Sequence, residues 1–534
     1  MANVPIGRIV AVDGPELTCL LSNEVMGDGQ AATAPRVGML VKMTTFQSTV
    51  YGVIGSMAMN PMPGAAAQTD HKFAQIDMMG EVLTTGDEAS SPRFERGVST
   101  QPTLGAAVYL AEKDDIALVY AKPSAHCVKI GHLHQESSIP AFVQTNDLLS
   151  KHMAVLGTTG SGKSCTVTLI LQAILGANPC GHVVLLDPHN EYSQAFPGVA
   201  EVVDPSNLYL PYWLLNFEEM VTVLVREGDK ADQQSQIAIL RDALMEVKKK
   251  SASDDDVRLA LTVDSPVPYR LSELVRTIDA ALGRLDKPDR SAPFLRLKSR
   301  LESMSSDKRF SFMFSGLLVR DSMTEVLSRV LRIPVSGKPL TIMDLSGVPS
   351  EIVDVVVSVI CRMTFDFNLW SAEGQAVPVL LVCEEAHRYI PRKDEGAFSS
   401  TKRAISRIAK EGRKYGVSLC LVTQRPSELD ESILSQCGTL FSLRLGNDQD
   451  QDFVSRALPE NARSLLSVLP SLRSQEAVVV GEGVTVPMRI RFDHLPADRR
   501  PRSGSANFAA AWQQDTHGAD YLERSVRKWR LQQR

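Results

Sequence analysis

Residues 157–164 read GTTGSGKS and match every specified position of the phosphate-binding pattern G-x-x-x-x-G-K-[ST]. An apolar run, Met153–Leu156, precedes this loop, and an amphipathic run, Cys165–Leu175, follows it. The order predicts a strand, a glycine loop and a helix, which aims backbone N–H groups and the positive helix end at a polyphosphate. Because an ordinary glycine-rich turn lacks this context, we predict a nucleoside triphosphatase.

The loop also predicts the residues that hold the nucleotide. Lys163 can reach the β- and γ-phosphates, and the Ser164 hydroxyl can hold Mg²⁺. The other expected contacts come from the loop and the first turn of the helix, namely Gly157, Thr159, Gly160, Ser161, Gly162 and Cys165.

Composition sets the broad class of the protein. Of its 534 residues, 44% are hydrophobic and 22% charged, which is typical of a soluble globular protein with two or three domains. The net charge of −5 provides no overall basic field, so nucleic acid would need a local cationic patch. The eight cysteines lack metal-ligand spacing and indicate a reducing cytosol. With no apolar run near the ~20 residues that span a bilayer and no signal-peptide pattern, we expect a cytoplasmic protein without membrane contact.

The pattern along the chain changes four times. Residues 1–148 carry short β-forming runs broken by Gly and Pro, which predict a small β-barrel or sandwich. Residues 149–215 and 336–495 alternate strands with helices, which predicts an α/β core around a parallel sheet. We interpret residues 216–335 as a helical insertion in this core and residues 496–534 as a C-terminal extension.

Individual strands follow from apolar runs. In the first region they are expected within Val37–Val41, Thr49–Ile54 and Ala107–Tyr120. In the core they are expected at Val183–Leu186, Leu340–Leu345, Val377–Cys383, Val417–Thr423 and Thr439–Leu443.

Two consecutive carboxylates follow one core strand in the sequence VPVLLVCEEAHRYIP. The strand ends in Glu384 and Glu385, and the carboxyl ends of strands are where an open α/β sheet presents its ligands. The first carboxylate of such a pair holds Mg²⁺, and the second can polarise the attacking water. A solvated acidic strand end is the alternative.

A polar residue also follows the strand Leu419–Thr423. Gln424 at this place can sense the γ-phosphate or orient water. An ordinary polar turn before Pro426 is the alternative interpretation.

A cationic stripe lies between these two strands in FSSTKRAISRIAKEGRKYG. The basic residues recur at helical spacing and lie on one helix face, namely Arg403, Arg407, Lys410 and Lys414. In a ring ATPase such a stripe can meet a neighbour's phosphate site or a nucleic-acid backbone, and the alternative is a solvated helix face.

Seven motifs resemble, in the same order, those of the HerA family in the HerA/FtsK class of ATPases. They are GTTGSGKS, LLDPHNEY (185–192), LYLPYWLLNF (208–217), IMDLSGVP (342–349), CEEAHRYIP (383–391), EGRKYGVSL (411–419) and VTQRP (422–426). The resemblance covers about residues 149–495. The first 148 residues resemble the β-barrel that precedes the RecA-like P-loop core in this family.

The resemblance implies a function and a set of roles. It implies a homohexameric ring that uses ATP and Mg²⁺ to move double-stranded DNA through its pore, together with a nuclease or other effector. The implied roles are phosphate binding by Lys163, Mg²⁺ binding by Ser164 and Glu384, catalytic base for Glu385, sensor for Gln424, arginine finger toward the adjacent subunit for Arg413, nucleotide contact by Lys151, and a position near the adenine for Pro487 and Met488.

Some residues depart from this family pattern or compete with it. The family usually has Asp where this chain has Glu384, and the extra methylene moves the carboxylate by roughly 1.5 Å, which water-mediated Mg²⁺ contacts can absorb. We expect slower hydrolysis than in relatives. His189 and His387 match family positions that we interpret as structural or communicative. His132 and His134 have no third metal ligand nearby in sequence.

Two functions remain open at this stage. The favoured one is an ATP-driven hexameric DNA translocase whose barrel docks a partner enzyme. The alternative is a ring-shaped platform whose nucleotide state regulates an effector, a nuclease or an NAD-consuming enzyme, in antiviral defence. A metabolic kinase is disfavoured because no acceptor pocket is visible in sequence. DNA repair and defence are both compatible with the motifs, as are rings of six or seven subunits.

Overall fold

The computed structural model describes residues 4–22, 34–60, 71–83, 92–225, 228–252, 254–284, 291–315, 319–371, 374–393, 399–457, 464–502, 508–513 and 518–531. These residues form two compact units. Unit 1 contains the described residues within 1–179, 385–395 and 406–495, and unit 2 contains those within 180–384, 396–405 and 496–534.

The region before the P-loop is mainly β-structure. Its elements are β1 (Gly7–Asp13), β2 (Glu16–Leu21), β3 (Leu40–Thr44), β4 (Ser48–Asn60), β5 (His71–Leu83), β6 (Phe94–Arg96), β7 (Ala107–Leu110), α1 (Lys113–Val119), β8 (Cys127–Leu133), β9 (Pro140–Gln144) and α2 (Thr145–Ser150).

The P-loop strand and helix come next, and a series of helices follows them. These elements are β10 (Met153–Leu156), α3 (Lys163–Ala177), β11 (Val183–Asp187), β12 (Ala200–Val203), α4 (Phe217–Leu224), α5 (Lys230–Ser251), α6 (Asp255–Ala260), α7 (Leu271–Leu282), α8 (Ala292–Ser306), α9 (Ser311–Phe314) and α10 (Met323–Leu331).

Strands and helices alternate again in the last part of the chain. The elements are β13 (Leu340–Asp344), α11 (Val353–Leu369), β14 (Val379–Cys383), α12 (Ser399–Glu411), β15 (Val417–Thr423), α13 (Glu431–Leu434), β16 (Thr439–Ser442), α14 (Asp448–Ala457), β17 (Glu476–Gly481), β18 (Met488–Phe492), α15 (Phe508–Ala511) and α16 (Ala519–Leu531).

Six strands of unit 1 close into a barrel. They pair in the order β2-β1-β7-β3-β4-β5, and β2 pairs back with β5, while β6 adds to β5 outside the ring. In β2, Leu17, Cys19 and Leu21 are buried at every second position, as expected for a strand with one face on a core. Closure leaves no edge within the ring.

One segment of the barrel region differs from the prediction. The run Ala107–Tyr120 is not all strand, because β7 ends at Leu110 and α1 follows. Asp115 explains the helix start, since its carboxylate accepts a hydrogen bond from the Glu112 N–H at 2.8 Å. The same carboxylate accepts hydrogen bonds from Lys42 Nζ at 2.6 Å and Tyr51 Oη at 3.0 Å, which fix α1 to the barrel.

The remaining strands of unit 1 form the P-loop sheet. Their order is β15-β10-β16-β17-β18-β8-β9. β10 runs parallel to β15 and β16, with Leu156 opposite Thr423 and Ser442, and all three strands are buried along their whole length. The predicted barrel domain, 1–148, therefore includes two strands of this sheet, β8 and β9. Apolar alternation is the same in a barrel strand and in an outer strand of a sheet, so the sequence could not separate them.

Unit 2 contains four parallel strands in the order β12-β13-β11-β14. Their register places Asp187 opposite Asp344 and Leu186 opposite Cys383. The helices α4 to α10 lie in the chain between Phe217 and Leu331, which matches the predicted helical insertion. Among the described helices, none combines the length and apolar composition needed to cross a bilayer.

Gly481, at the end of β17, provides a test of the sheet. Its φ is +126°, and a Cβ there would lie 2.0 Å from the Gly438 carbonyl oxygen. We expect Gly481→Ala to lower the melting temperature, because the backbone conformation alone costs roughly 1–3 kcal/mol for a side-chain-bearing residue. Gly176→Ala is the control, since it lies in α3 with nothing within 4 Å of the added Cβ, and it should raise the melting temperature slightly. Equal melting temperatures for both variants would contradict the register of β16 and β17.

Candidate active site

The loop between β10 and α3 has the geometry of a phosphate cradle. Gly160 and Gly162 have φ values of +76° and +101°, a region that favours glycine. A Cβ on Gly157 would lie 2.7 Å from Ser161 Oγ and 2.8 Å from Leu443 Cβ, so that position also needs glycine. The loop ends at the first residue of the 15-residue helix α3, whose N-terminus favours an anion.

The Thr158 carbonyl organises this loop from inside. It accepts hydrogen bonds from Ser161 Oγ at 2.7 Å and from Lys163 Nζ at 3.3 Å. Thr158 itself is anchored to the strand end of β16, because its N–H donates to the Arg444 carbonyl at 3.0 Å. The buried Lys163 side chain is thus held over the loop, and Ser164 follows it in the first turn of α3.

Glu385 follows β14 in an unusual backbone conformation. Its φ of +52° lies in the left-handed region, which costs a residue other than glycine of order 1–3 kcal/mol and occurs preferentially at functional sites. The side chain is buried. Oε1 accepts a hydrogen bond from Gln424 Nε2 at 3.1 Å. Oε2 makes no hydrogen bond of good geometry to the described residues, although His387 Nδ1 lies 3.3 Å away.

Gln424 links the glycine loop to this carboxylate. Its amide oxygen accepts a hydrogen bond from Thr159 Oγ1 at 2.5 Å, while its amide nitrogen donates to Glu385. On the other side, His387 Nδ1 lies 3.1 Å from Thr423 Oγ1. Within unit 1 the structure therefore brings together three residues that the sequence had predicted separately, Thr159, Gln424 and Glu385. Thr423 lies at the strand end where the sequence indicated a Gln or Thr that could sense the γ-phosphate.

Glu384 belongs to unit 2. Its carboxylate is buried, and Oε2 accepts a hydrogen bond from Tyr192 Oη at 2.6 Å. Burial and the nearby Glu384 charge raise the pKa of Tyr192 well above its usual value, so the phenol remains a donor. Tyr192 is positioned by Asp187, which accepts its backbone N–H at 2.9 Å. Asp187 and Tyr192 both lie in the motif LLDPHNEY, and their role becomes visible only through these contacts.

Arg413 lies at the other end of a core strand. It belongs to a 3₁₀ turn just before β15, whereas Gln424 follows the last residue of that strand. The seven residues of β15 span roughly 23 Å at about 3.3 Å per residue. The exposed Arg413 side chain therefore cannot reach the P-loop edge of its own chain.

Lys151 lies before β10, also away from the P-loop that follows this strand. Its ammonium forms ion pairs with Glu482 and, at 3.5 Å, with Asp147. A contact between Lys151 and a nucleotide stays a prediction.

Pro487 and Met488 line a cavity of about 380 Å³ that also includes the barrel residues Met39 and Val53. Tyr120 Oη donates a hydrogen bond of 3.4 Å to the Pro487 carbonyl there. Residues of the glycine loop do not contribute to this cavity. The adenine contact predicted for Pro487 and Met488 stays a prediction.

The cationic stripe lies on α12 and the turn after it. Its members Arg403, Arg407, Lys410 and Lys414 are exposed. Two of them form ion pairs, Arg403 with Glu218 at 2.7 Å and Arg407 with Glu411 at 3.9 Å.

The two histidines of GHLH contact carboxylates. His132 Nδ1 lies 3.0 Å from Asp493 and His134 Nδ1 3.4 Å from Glu476. In the described part of the chain, no group of three or more candidate ligands is arranged to hold a metal ion.

The glycine cradle, the helix behind it and the carboxylate bonded to Gln424 define a P-loop nucleoside triphosphatase. A sequence model described as the central domain of helicase HerA matches residues 128–364. The chain is 25% identical to a probable helicase of Methanocaldococcus jannaschii, over 92% of this chain and 93% of that protein. It is 26% identical to the DNA double-strand break repair helicase HerA of Pyrococcus furiosus, over 76% of this chain and 75% of that protein. Over most of its length the chain is therefore similar to HerA helicases, and it is an ATPase.

Solved structures agree on the fold. VirB4 of Thermoanaerobacter pseudethanolicus resembles the chain with a TM-score of 0.50 and 16% identity, over 71% of this chain and 99% of that one. The predicted RecA-like P-loop core is confirmed, as are the N-terminal barrel and the helical insertion.

The site geometry predicts different defects for Lys163 and Glu385. Lys163→Ala should abolish nucleotide binding, because the loop then offers the phosphates only backbone dipoles. Glu385→Gln should bind ATP normally but hydrolyse it slowly, by a factor of about 10² or more, because an amide accepts no proton from water. Binding of a fluorescent ATP analogue measures the first defect, and the rate of phosphate release measures the second. Lys249→Ala, which removes an exposed lysine of α5, is the charge-matched control. Wild-type turnover in Lys163→Ala would contradict the site.

Proposed function

We propose that this chain is the subunit of a homohexameric ring that uses ATP hydrolysis to translocate double-stranded DNA through its pore. The placement of Arg413 supports this proposal most directly. The P-loop, Gln424 and Glu385 lie at one end of the parallel strands of unit 1, and Arg413 lies roughly 23 Å away at the other end of β15. An arginine finger offered from that end can serve only the ATP of another subunit.

Each residue of the site has a proposed role. Lys163 binds the β- and γ-phosphates, while the backbone of residues 157–162 and the side chains of Thr159 and Cys165 surround them. Ser164 and Glu384 would hold the Mg²⁺, which would supply positive charge to neutralise the charge that develops on the phosphates. Glu384 suits a water-mediated contact, because its carboxylate is oriented by the Tyr192 hydroxyl.

Glu385 is the proposed base. Its Oε2 is buried and is not engaged in a good hydrogen bond, so it can accept one from the attacking water. Gln424 bonds both Thr159 in the loop and Glu385, which suits a sensor that connects phosphate contacts to the base. Loss of the γ-phosphate would then be reported directly to the carboxylate.

Mixed rings test the proposed role of Arg413. Arg413→Ala and Lys163→Ala subunits should each be inactive alone, because an arginine finger is worth about 10³–10⁵ in rate and Lys163 holds the phosphates. Mixing them should restore part of the ATPase rate, since some interfaces then combine an intact Lys163 with an intact Arg413. Lys249→Ala, which removes an exposed lysine of α5 outside the stripe, is the control and should need no complementation. Mixed rings of verified composition that stay inactive would refute action between subunits.

DNA is the proposed substrate of the motor. The relative in Pyrococcus furiosus is named a DNA double-strand break repair helicase, and the exposed stripe on α12 supplies a local cationic surface despite the net charge of −5. Because Arg403 and Arg407 carry intramolecular ion pairs, we expect Lys410 and Lys414 to contribute most.

Duplex DNA should stimulate the ATPase, with binding that weakens steeply as salt rises because each neutralised phosphate releases counterions. Lys410→Ala should lower the affinity for duplex DNA. It should also reduce the slope of the logarithm of the binding constant against the logarithm of salt concentration, by about one for each Lys410 side chain that contacts a phosphate. Lys249→Ala again serves as control. If duplex DNA neither binds at low salt nor stimulates hydrolysis, while a partner enzyme gains activity on the ring, the chain is a regulatory platform rather than a motor.

The barrel is the proposed docking module for that partner, a nuclease or an NAD-consuming enzyme acting in DNA repair or in antiviral defence. Its β3–β4 hairpin supports this, because Phe46 is 94% exposed at the tip. Thr45 Oγ1 holds the hairpin through a hydrogen bond of 3.0 Å to the Ser48 carbonyl. An exposed aromatic side chain on a fixed turn is a typical interface anchor.

A further inference from the structure

His387 occupies a position between two parts of the active site. It lies in the 3₁₀ turn Ala386–Arg388, directly after Glu385. Its Nδ1 is 3.3 Å from Glu385 Oε2 and 3.1 Å from Thr423 Oγ1. Thr423 is the last residue of β15 and precedes Gln424. One nitrogen atom therefore contacts both the proposed base and the strand that carries the proposed sensor.

The available protons limit what these groups can do. Burial lowers the pKa of His387, so at neutral pH the ring is neutral and has one N–H. Thr423 Oγ1 already accepts the Arg425 N–H at 3.1 Å and has a single proton to donate. If Thr423 donates its proton to an unprotonated Nδ1, then Nδ1 cannot donate a hydrogen bond to Glu385 Oε2. If Nδ1 carries the proton, it can donate to Thr423 Oγ1 or to Glu385 Oε2.

A second contact on the Glu385 carboxylate is needed to fix its orientation. Gln424 holds only Oε1, and rotation about the terminal side-chain bond is broad for glutamate. With Gln424 at one oxygen and His387 beside the other, the carboxylate plane is restrained from both sides. A misplacement of about 1 Å at a reacting group can cost 10²-fold in rate, so this restraint affects catalysis.

We propose that His387 is a positioning residue: with Nδ1 protonated and lying 3.3 Å from Glu385 Oε2 and 3.1 Å from Thr423 Oγ1, it fixes the orientation of the Glu385 carboxylate, while Oε2 keeps a lone pair for the attacking water. This inference rests on the proposed role of Glu385 as base. His387 itself takes no proton from water in this scheme.

The two nitrogens of the ring can be tested separately. In His387→Asn the side-chain amide occupies the place of Nδ1, whereas in His387→Gln it occupies the place of Nε2. We expect His387→Gln to lower kcat by about 10²-fold, with KM for ATP, affinity for a fluorescent ATP analogue and melting temperature close to wild type. His387→Asn should recover most of kcat. The ring is partly exposed, with 13% of its side-chain surface accessible, so neither change creates a closed cavity.

Thr423→Val gives an independent test, because it removes the hydroxyl and nearly preserves the shape of a fully buried side chain. It should lower kcat, and its combination with His387→Gln should cost no more than the larger single change, since both break one contact. Three results would overturn the proposal: wild-type kcat in His387→Gln, equal losses in His387→Gln and His387→Asn, or a raised KM at unchanged kcat. Glu385→Gln distinguishes a failure of this inference from a failure of the proposed function. Full hydrolysis by Glu385→Gln would show that Glu385 is not the base, whatever the result for His387.

Discussion

The register of β10 on β15 determines most of what this protein can do. Leu156 lies opposite Thr423, so the residues that follow the two strands, the glycine loop and Gln424, begin at the same level. Parallel strands direct both segments to the same edge of the sheet. The hydrogen bond from Thr159 to Gln424 then becomes possible, and through it the contact with Glu385. A shift of one residue would separate the phosphate loop from Gln424.

At position 384 this chain has Glu where the resemblance to HerA proteins implies Asp, and the structure shows what the Glu side chain contacts. The longer side chain meets the Tyr192 hydroxyl at 2.6 Å, and Tyr192 is in turn fixed by the buried Asp187. Three backbone N–H groups, those of His189, Glu191 and Tyr192, converge on the Asp187 carboxylate. Burial nevertheless raises the pKa of Asp187. The turn after β11 is thus built around the Asp187 carboxylate and places the Tyr192 phenol against the Glu384 carboxylate. This contact gives Glu384 a defined position despite its extra methylene.

Sequence patterns were sufficient where one physical signal dominated. β10 and β15 have the predicted bounds, Met153–Leu156 and Val417–Thr423, because strands buried on both faces are continuous apolar runs ended by glycine or a polar residue. The pattern failed where two structures share it. Alternation of apolar residues led us to assign β8 to the barrel, although it pairs with β18. The apolar residues after Leu110 led us to predict a strand where the structure has α1, whose start depends on Asp115. The partners of Glu384 and Glu385, Tyr192 and His387, could not be paired with them before the fold was known, because only tertiary contact joins them.

The direction of β15 has a consequence for how hydrolysis is controlled. A strand of seven residues separates Arg413 from Gln424, and no side chain is long enough to bridge that distance within one chain. In the proposed ring, the P-loop and Glu385 of one subunit would therefore need Arg413 of another subunit. Electrostatic stabilisation of the transferred phosphoryl group is a large part of the rate in phosphoryl transfer, so the proposal implies that hydrolysis depends on assembly. The direction of a single strand would then couple the turnover of one subunit to the presence of its neighbour.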